Sequence, residues 1–181
     1  MGAKLADAVL QSGVGYEVFV RPRVDRIAAD CPTAQTTSGF LALLHSEGPV
    51  KVLNLKAGRK LRTIVELAQF LVDRGVENAT ALSRWLQVAG NPSSLITVYG
   101  VGPKTVSFLK LLVGLDAIAV DRQVLRFVQE AGVDLKAPDL VEAILTKAGK
   151  QLGLSGAQVD QLVWRSMAAR DQGVRRLHRA P

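Results

Sequence analysis

Cysteine occurs once in 181 residues, at Cys31. One thiol excludes an internal disulfide, a thiolate zinc site and a cysteine-held iron–sulfur cluster. It fits a reducing compartment. Long apolar runs are also missing: no stretch approaches the ~20 residues needed to cross a bilayer, and the N-terminus lacks a signal-peptide core. Met1-Gly2-Ala3-Lys4-Leu5-Ala6 has no Ser or Thr to complete a myristoylation signal. No membrane partner and a cytoplasmic working place are expected. Strand patterns are scarce. Val50-Lys51-Val52-Leu53 and Ala117-Ile118-Ala119-Val120 have strand-like composition, but each is too isolated to build a sheet. No fixed period recurs, which argues against a solenoid.

What is present is an ordinary globular composition, 48% hydrophobic and 22% charged. The chain is long enough for one domain or two small lobes. A net charge of +7 suits a polyanionic partner, although a merely basic protein would carry it too.

Helical periods fill the rest. A first helix is predicted over 4–10, ended by Ser12-Gly13-Val14-Gly15, and another from Arg23 once Pro22 is passed. Residues 35–45 follow, stopped at Gly48-Pro49. The strongest amphipathic stretch is 58–74, where Leu61, Ile64, Val65, Ala68, Leu71 and Val72 make one buried stripe. Residues 79–88 come next, and Asn91-Pro92 opens a short helix up to Tyr99. Residues 103–113 are apolar on nearly every side, the mark of a central helix. Asp121 is the predicted N-cap of 122–130, hiding Val124, Leu125 and Val128. Pro138 opens 138–152 with Leu140, Ile144 and Leu145 inward. Ser155 caps 156–171 with Val159, Leu162, Val163 and Met167 buried, and Trp85 and Trp164 are assigned to the core. The tail from Gly173 is basic and expected to fray. The fold class is all-α.

The chemistry concentrates at Val98-Tyr99-Gly100-Val101-Gly102-Pro103-Lys104-Thr105 and at Asp121, seventeen residues past Lys104. A Gly-x-Gly turn offers backbone N–H groups with no Cβ in the way, and the following helix start favours an anion. Pro103 is pre-set for the first helical position, which puts Lys104 one step inside. The macrodipole disfavours a protonated amine there, and a lysine of lowered pKa is an amine nucleophile. Taken singly, each part has a plainer explanation: a turn, a solvated lysine, an N-cap. The dinucleotide reading fails because no strand precedes the turn and the third glycine is missing. The combination carries the weight: Gly-Val-Gly-x-Lys, an apolar helix, then Ala119-Val120-Asp121 opening another helix.

This combination resembles the helix-hairpin-helix DNA glycosylase superfamily, in particular endonuclease III-like base-excision enzymes. Gly100, Val101, Gly102 and Lys104 match the family's hairpin, and Ala119, Val120 and Asp121 match its Ala-Val-Asp. Thr33-Ala34-Gln35-Thr36-Thr37 looks like the Gln-containing loop whose glutamine fills the gap left by an extruded base. The resemblance covers roughly residues 33–170 and is densest over 98–127.

It implies a two-lobed helical fold gripping double-stranded DNA that carries a damaged base or an abasic site. Residues 32–115 would form the lobe with the hairpin; residues 1–31 and 116–181 would form the other. Lys104 would attack C1′ of a nucleotide flipped from the stack, with Asp121 stabilising positive charge on the sugar. Gln35, Tyr99, Gly100, Val101, Gly102, Thr105 and Arg122 are the expected DNA contacts. The hairpin would hold a backbone phosphate and can take a monovalent cation, as in relatives. No other cofactor or metal is expected, and the protein should act as a monomer on nucleoid DNA.

The sequence departs from the family's pattern in several places. Tyr99 replaces the usual proline, and Arg122-Gln123 stands where Thr-His is common. The cluster cysteines are absent, and a basic tail with Arg175, Arg176, His178 and Arg179 takes their place. Lys104 favours a bifunctional glycosylase and abasic-site lyase. The alternatives are a monofunctional glycosylase in which Asp121 activates water, and a non-catalytic hairpin module that only grips DNA. Oxidised pyrimidine, oxidised purine and alkylated base all stay open as targets.

Overall fold

Proline opens helices in this chain more often than side-chain caps do. Pro22, Pro49, Pro92, Pro103 and Pro138 all fall in the first turn of a helix, where a missing N–H costs nothing. The computed structural model describes the backbone of residues 1–56 and 58–177, and side chains through Arg170. Among the described residues there is no strand, so the all-α expectation holds. The helices are α1 (Gly2–Leu10), α2 (Arg21–Asp30), α3 (Thr37–Glu47), α4 (Pro49–Leu53), α5 (Arg59–Val72), α6 (Ala79–Gln87), α7 (Asn91–Ser94), α8 (Pro103–Leu112), α9 (Arg122–Glu130), α10 (Pro138–Gln151) and α11 (Gly156–Leu177).

The chain divides into two compact units, Met1–Gly114 and Leu115–Pro181. Residues 1–31 belong to the first unit. There α1 packs on α2, α5 and α8, and its Gly2, Leu5, Ala6, Ala8, Val9 and Leu10 are buried. The helix enclosed on most sides is therefore α1. In α8 only Val106 and Leu109 are fully buried, while Phe108, Leu111 and Leu112 are half-exposed, which corrects its reading as the central helix. Small residues let α1 approach closely: a Cβ on Gly2 would overlap the Phe40 ring. Truncating Leu5 or Leu10 to alanine should cost about 2–5 kcal/mol.

Two polar groups on α1 find partners inside this unit. Lys4 donates from Nζ to the Leu112 carbonyl at 2.7 Å, meeting the C-terminal end of α8. Asp7 is buried and accepts from Gln11 Nε2 at 2.8 Å and from the Tyr16 hydroxyl at 3.4 Å. Burial pushes its carboxyl above the usual aspartate range, and those two hydrogen bonds only partly oppose this.

Several local expectations change. Val50–Leu53 is helical, because Pro49 starts a turn there and Asn54, at φ 47°, closes it in the left-handed region. Pro22 lies inside α2, which begins at Arg21. Gly90, and not Asn91, occupies the cap position of α7; Asn91 Nδ2 instead donates to the Trp85 carbonyl at 2.9 Å. Trp85 is half-buried, edge-on to Phe70.

In the second unit α9, α10 and α11 enclose Ile118, Val124, Val128, Val141, Val163 and Met167. Ser155 and Gln158 form a capping box: the Gln158 amide donates to Ser155 Oγ at 3.2 Å, and the Ser155 amide to Gln158 Oε1 at 2.8 Å. Leu140, Ile144, Leu162 and Trp164, all assigned inward from sequence, are exposed at 40–51%. The backbone of α11 continues to Leu177, past the predicted fraying point at Gly173. His178 and Arg179 of the basic tail lie outside the described residues.

Candidate functional site

The hairpin is built from short-range hydrogen bonds anchored by two valines. After a 3₁₀ turn over Leu95–Thr97, the Val98 amide donates to the Leu95 carbonyl and the Val101 amide to the Val98 carbonyl, both at 3.1 Å. Val98 and Val101 are buried and hold the turn in place. Between them Tyr99 and Gly100 stand at the surface. Gly100 has φ +77°, and a Cβ there would overlap Thr63 Oγ1 on α5. Thr63 is itself buried and donates to the Arg59 carbonyl at 3.0 Å, so it cannot easily withdraw. Only glycine satisfies both the backbone angle and the space.

Gly102 is extended, at φ −124° and ψ 177°, and serves as N-cap of α8 with no side-chain hydrogen bond. Its carbonyl accepts from the Val106 amide at 3.1 Å. No side-chain oxygen from the cap covers the first-turn amides, which leaves that end of the helix suited to an oxygen anion. Lys104 is the second helical residue, half-buried, as is Thr105.

Helix α5 supplies the cationic surroundings. The Arg62 guanidinium lies 4.1 Å from the Tyr99 ring centroid, and its Nε donates to Glu66 at 2.6 Å. Lys60 donates from Nζ to the Leu10 carbonyl at 2.6 Å and the Ser12 carbonyl at 2.7 Å, and stands 5.5 Å from the Phe19 ring centroid. Burial, and secondarily the positive charge of Lys104, hold the Lys60 ammonium below the ordinary lysine range. The sequence marks Arg59, Lys60 and Arg62 only as charges near a helix start. The i,i+4 spacing of Arg62 and Glu66 is visible there, but the partner Tyr99 is not.

Gln35 ends a 3₁₀ turn over Pro32–Gln35 and is exposed. Its carbonyl, with that of Ala34, accepts from the Met1 amine at 2.9 and 2.7 Å.

In the second unit Asp121 is extended and caps α9. Its Oδ1 accepts from the Gln123 amide at 2.8 Å and the Val124 amide at 3.0 Å. Arg122 follows, exposed. Upstream, two carboxylates that the sequence did not single out engage the connector. Asp160 of α11 accepts from the Ala119 amide at 2.8 Å, and Asp116 accepts from the Ala157 amide at 2.8 Å. Among the described residues no group of three His, Cys, Asp or Glu side chains is gathered as a metal site, and no helix is long and apolar enough to cross a membrane.

The family model described as Domain of unknown function (DUF8548) matches residues 5–168, and the chain belongs to that family. No curated protein matches the sequence significantly. Among solved structures the chain is similar to the 8-oxoguanine DNA glycosylase of Thermotoga maritima, at 19% identity and a TM-score of 0.60, over 90% of this chain and 77% of that one. At that identity the likeness establishes a shared helical fold.

Proposed function

We propose that this member of the family is a DNA base-excision glycosylase with abasic-site lyase activity. One observation carries the reading: Lys104 sits at the start of α8, directly after a Gly-Val-Gly turn locked onto α5, in a chain that shares its fold with a DNA glycosylase. The hairpin amides would take a backbone phosphate, and a monovalent cation can join them there. Gln35, Tyr99, Thr105 and Arg122 would contact the duplex, which a monomer engages on cytoplasmic, nucleoid DNA.

The target nucleotide is extruded, because its C1′ is unreachable within the stack. Unprotonated Nζ of Lys104 attacks C1′; the glycosidic bond breaks and the base leaves with the bonding electrons, taking up a proton. Opening of the sugar ring gives a Schiff base on Lys104. Loss of a C2′ proton then expels the 3′ phosphate by β-elimination and nicks the strand. The Asp121 carboxylate would stabilise positive charge on the sugar and assist these proton transfers.

A second reading has its own support. Asp121 already serves α9 as an N-cap, which a non-catalytic DNA-binding module would also need. Borohydride trapping on an abasic-site duplex separates the two. A covalent adduct is expected for wild type and for Lys147→Ala on α10, and none for Lys104→Ala. If wild type gives no adduct, the lyase reading is lost, and base release then decides between a monofunctional enzyme and a binding module. The structural neighbour acts on 8-oxoguanine, which puts oxidised purine first in the panel of single-lesion duplexes, ahead of oxidised pyrimidine and alkylated base.

A further inference from the structure

The connector over 115–121 has no regular structure, yet Ala117, Ile118 and Ala119 within it are buried. Buried backbone amides need partners, and an irregular segment has no ladder to provide them. Helix α11 provides one here. Asp160, inside its second turn, accepts the Ala119 N–H at 2.8 Å. The hold is reciprocal: Asp116 in the connector accepts the Ala157 N–H at 2.8 Å, in the first turn of α11. The fit at that crossing is close, since a Cβ on Gly156 would stand 3.0 Å from Asp116 Oδ1. Across the Ala119 tie the Val120 amide donates to the Ile118 carbonyl at 3.2 Å, which tightens the chain just before Asp121.

We infer that Asp160 is a positioning residue for Asp121: by holding the Ala119 amide it fixes the direction from which Asp121 enters α9. The inference rests on the reading of Asp121 as the carboxylate of the reaction. Asp121 is clamped on two sides. Downstream, the Gln123 and Val124 amides hold its own carboxylate. Upstream, the Ala119 amide, two residues away, is tied to a carboxylate on another helix. Without Asp160 the buried Ala119 N–H loses this acceptor, and rotation about the Ala119 and Val120 backbone swings the Asp121 carboxylate. A misplacement of about 1 Å is enough to lower a rate by about 10²-fold.

The test compares Asp160→Ala with Asp160→Asn, each well below its own melting temperature. Asparagine keeps a carbonyl oxygen for the Ala119 N–H; alanine does not. Single-turnover base release should fall about 10–100-fold in Asp160→Ala, with Kd for an abasic-analogue duplex unchanged, and return close to wild type in Asp160→Asn. Hydrogen exchange at the Ala119 amide, followed by NMR, should speed up in the alanine variant and stay slow in the asparagine one. Equal rates in wild type and Asp160→Ala would overturn the inference. So would equal losses in both variants, because the acceptor would then not be what matters. If wild type releases no base and forms no adduct, the enzyme reading fails by that measurement and the role for Asp160 in catalysis fails with it. The exchange experiment still reports whether Asp160 holds the connector, and unchanged exchange overturns that as well.

Discussion

Gly100 stands against Thr63 so closely that a single methyl group on it would overlap the threonine hydroxyl. The two residues lie on different elements, the hairpin and α5, and their contact makes one rigid piece of the turn and the helix start that carries Lys60 and Arg62. Gly100→Ala therefore meets two obstacles, a φ of +77° and the Thr63 oxygen. We expect a loss of about 1–3 kcal/mol from the backbone angle, with the overlap adding to it. Thr63→Ala in the same chain should recover the overlap part alone. Urea unfolding of the four proteins in this cycle gives the coupling, and simple additivity would mean the contact is not as close as described.

On the proposed function, Arg62, whose guanidinium lies over the Tyr99 ring beside the hairpin, would meet the DNA backbone. Arg62→Ala should weaken binding to any duplex, and the slope of log K against log salt should shrink by about 0.9 for one lost phosphate contact. Tyr99→Phe should leave both quantities near wild type, since the ring face is retained. A salt slope that does not move would show that Arg62 serves Glu66 and Tyr99 only.

Asp121 can be separated into cap and carboxylate. Asparagine caps a helix about as well as aspartate, whereas alanine loses about 0.5–2 kcal/mol. Asp121→Asn should thus unfold like wild type, and Asp121→Ala earlier. If the carboxylate acts in the reaction, both variants lose base release to a similar extent. Retained activity in Asp121→Asn would reduce the residue to its structural role.

Asp7 offers a pH test. Its folded pKa is raised, so between the unfolded value and the folded one the native state binds more protons than the unfolded chain. Stability is then greatest in acid for this group and declines as pH rises through the folded pKa. Asp7→Asn removes the charge and keeps an acceptor for Gln11. It should raise the melting temperature at pH 7, by about 2–4 °C for each kcal/mol relieved, and the advantage should shrink as pH falls towards 4. A gain that is the same at both pH values would point away from the buried charge.

Much of this is legible in the sequence because it is local. Asp121 before an amphipathic run gives α9 its start, and Leu61, Ile64, Ala68 and Leu71 mark the buried stripe of α5. The contacts at the hairpin are not legible, since Gly100 and Thr63, or Tyr99 and Arg62, are joined only by tertiary packing. Phase is another obstacle. Along α10, Leu140 and Ile144 keep the same four-residue spacing as Val141 and Leu145, so periodicity alone does not choose between them. The choice falls to Gly149, which continues the second set: a Cβ there would come within 2.6 Å of Val159, so α11 must lie on that face. Val50–Leu53 misleads for the opposite reason. Its residue types fit a strand, but Pro49 and Asn54 set a single helical turn around them.

The tie from Lys4 to the Leu112 carbonyl joins the third residue of α1 to the last residue of α8. On a ribosome adding about 5–20 residues each second, Leu112 is made several seconds after Lys4. Through that interval Leu5, Ala6, Val9 and Leu10 lack α8 to cover them, and until Val72 is made they lack α5 as well. Helix α1 is thus made well before the last of the helices that enclose it, and its apolar face stays incompletely covered until α8 has been added.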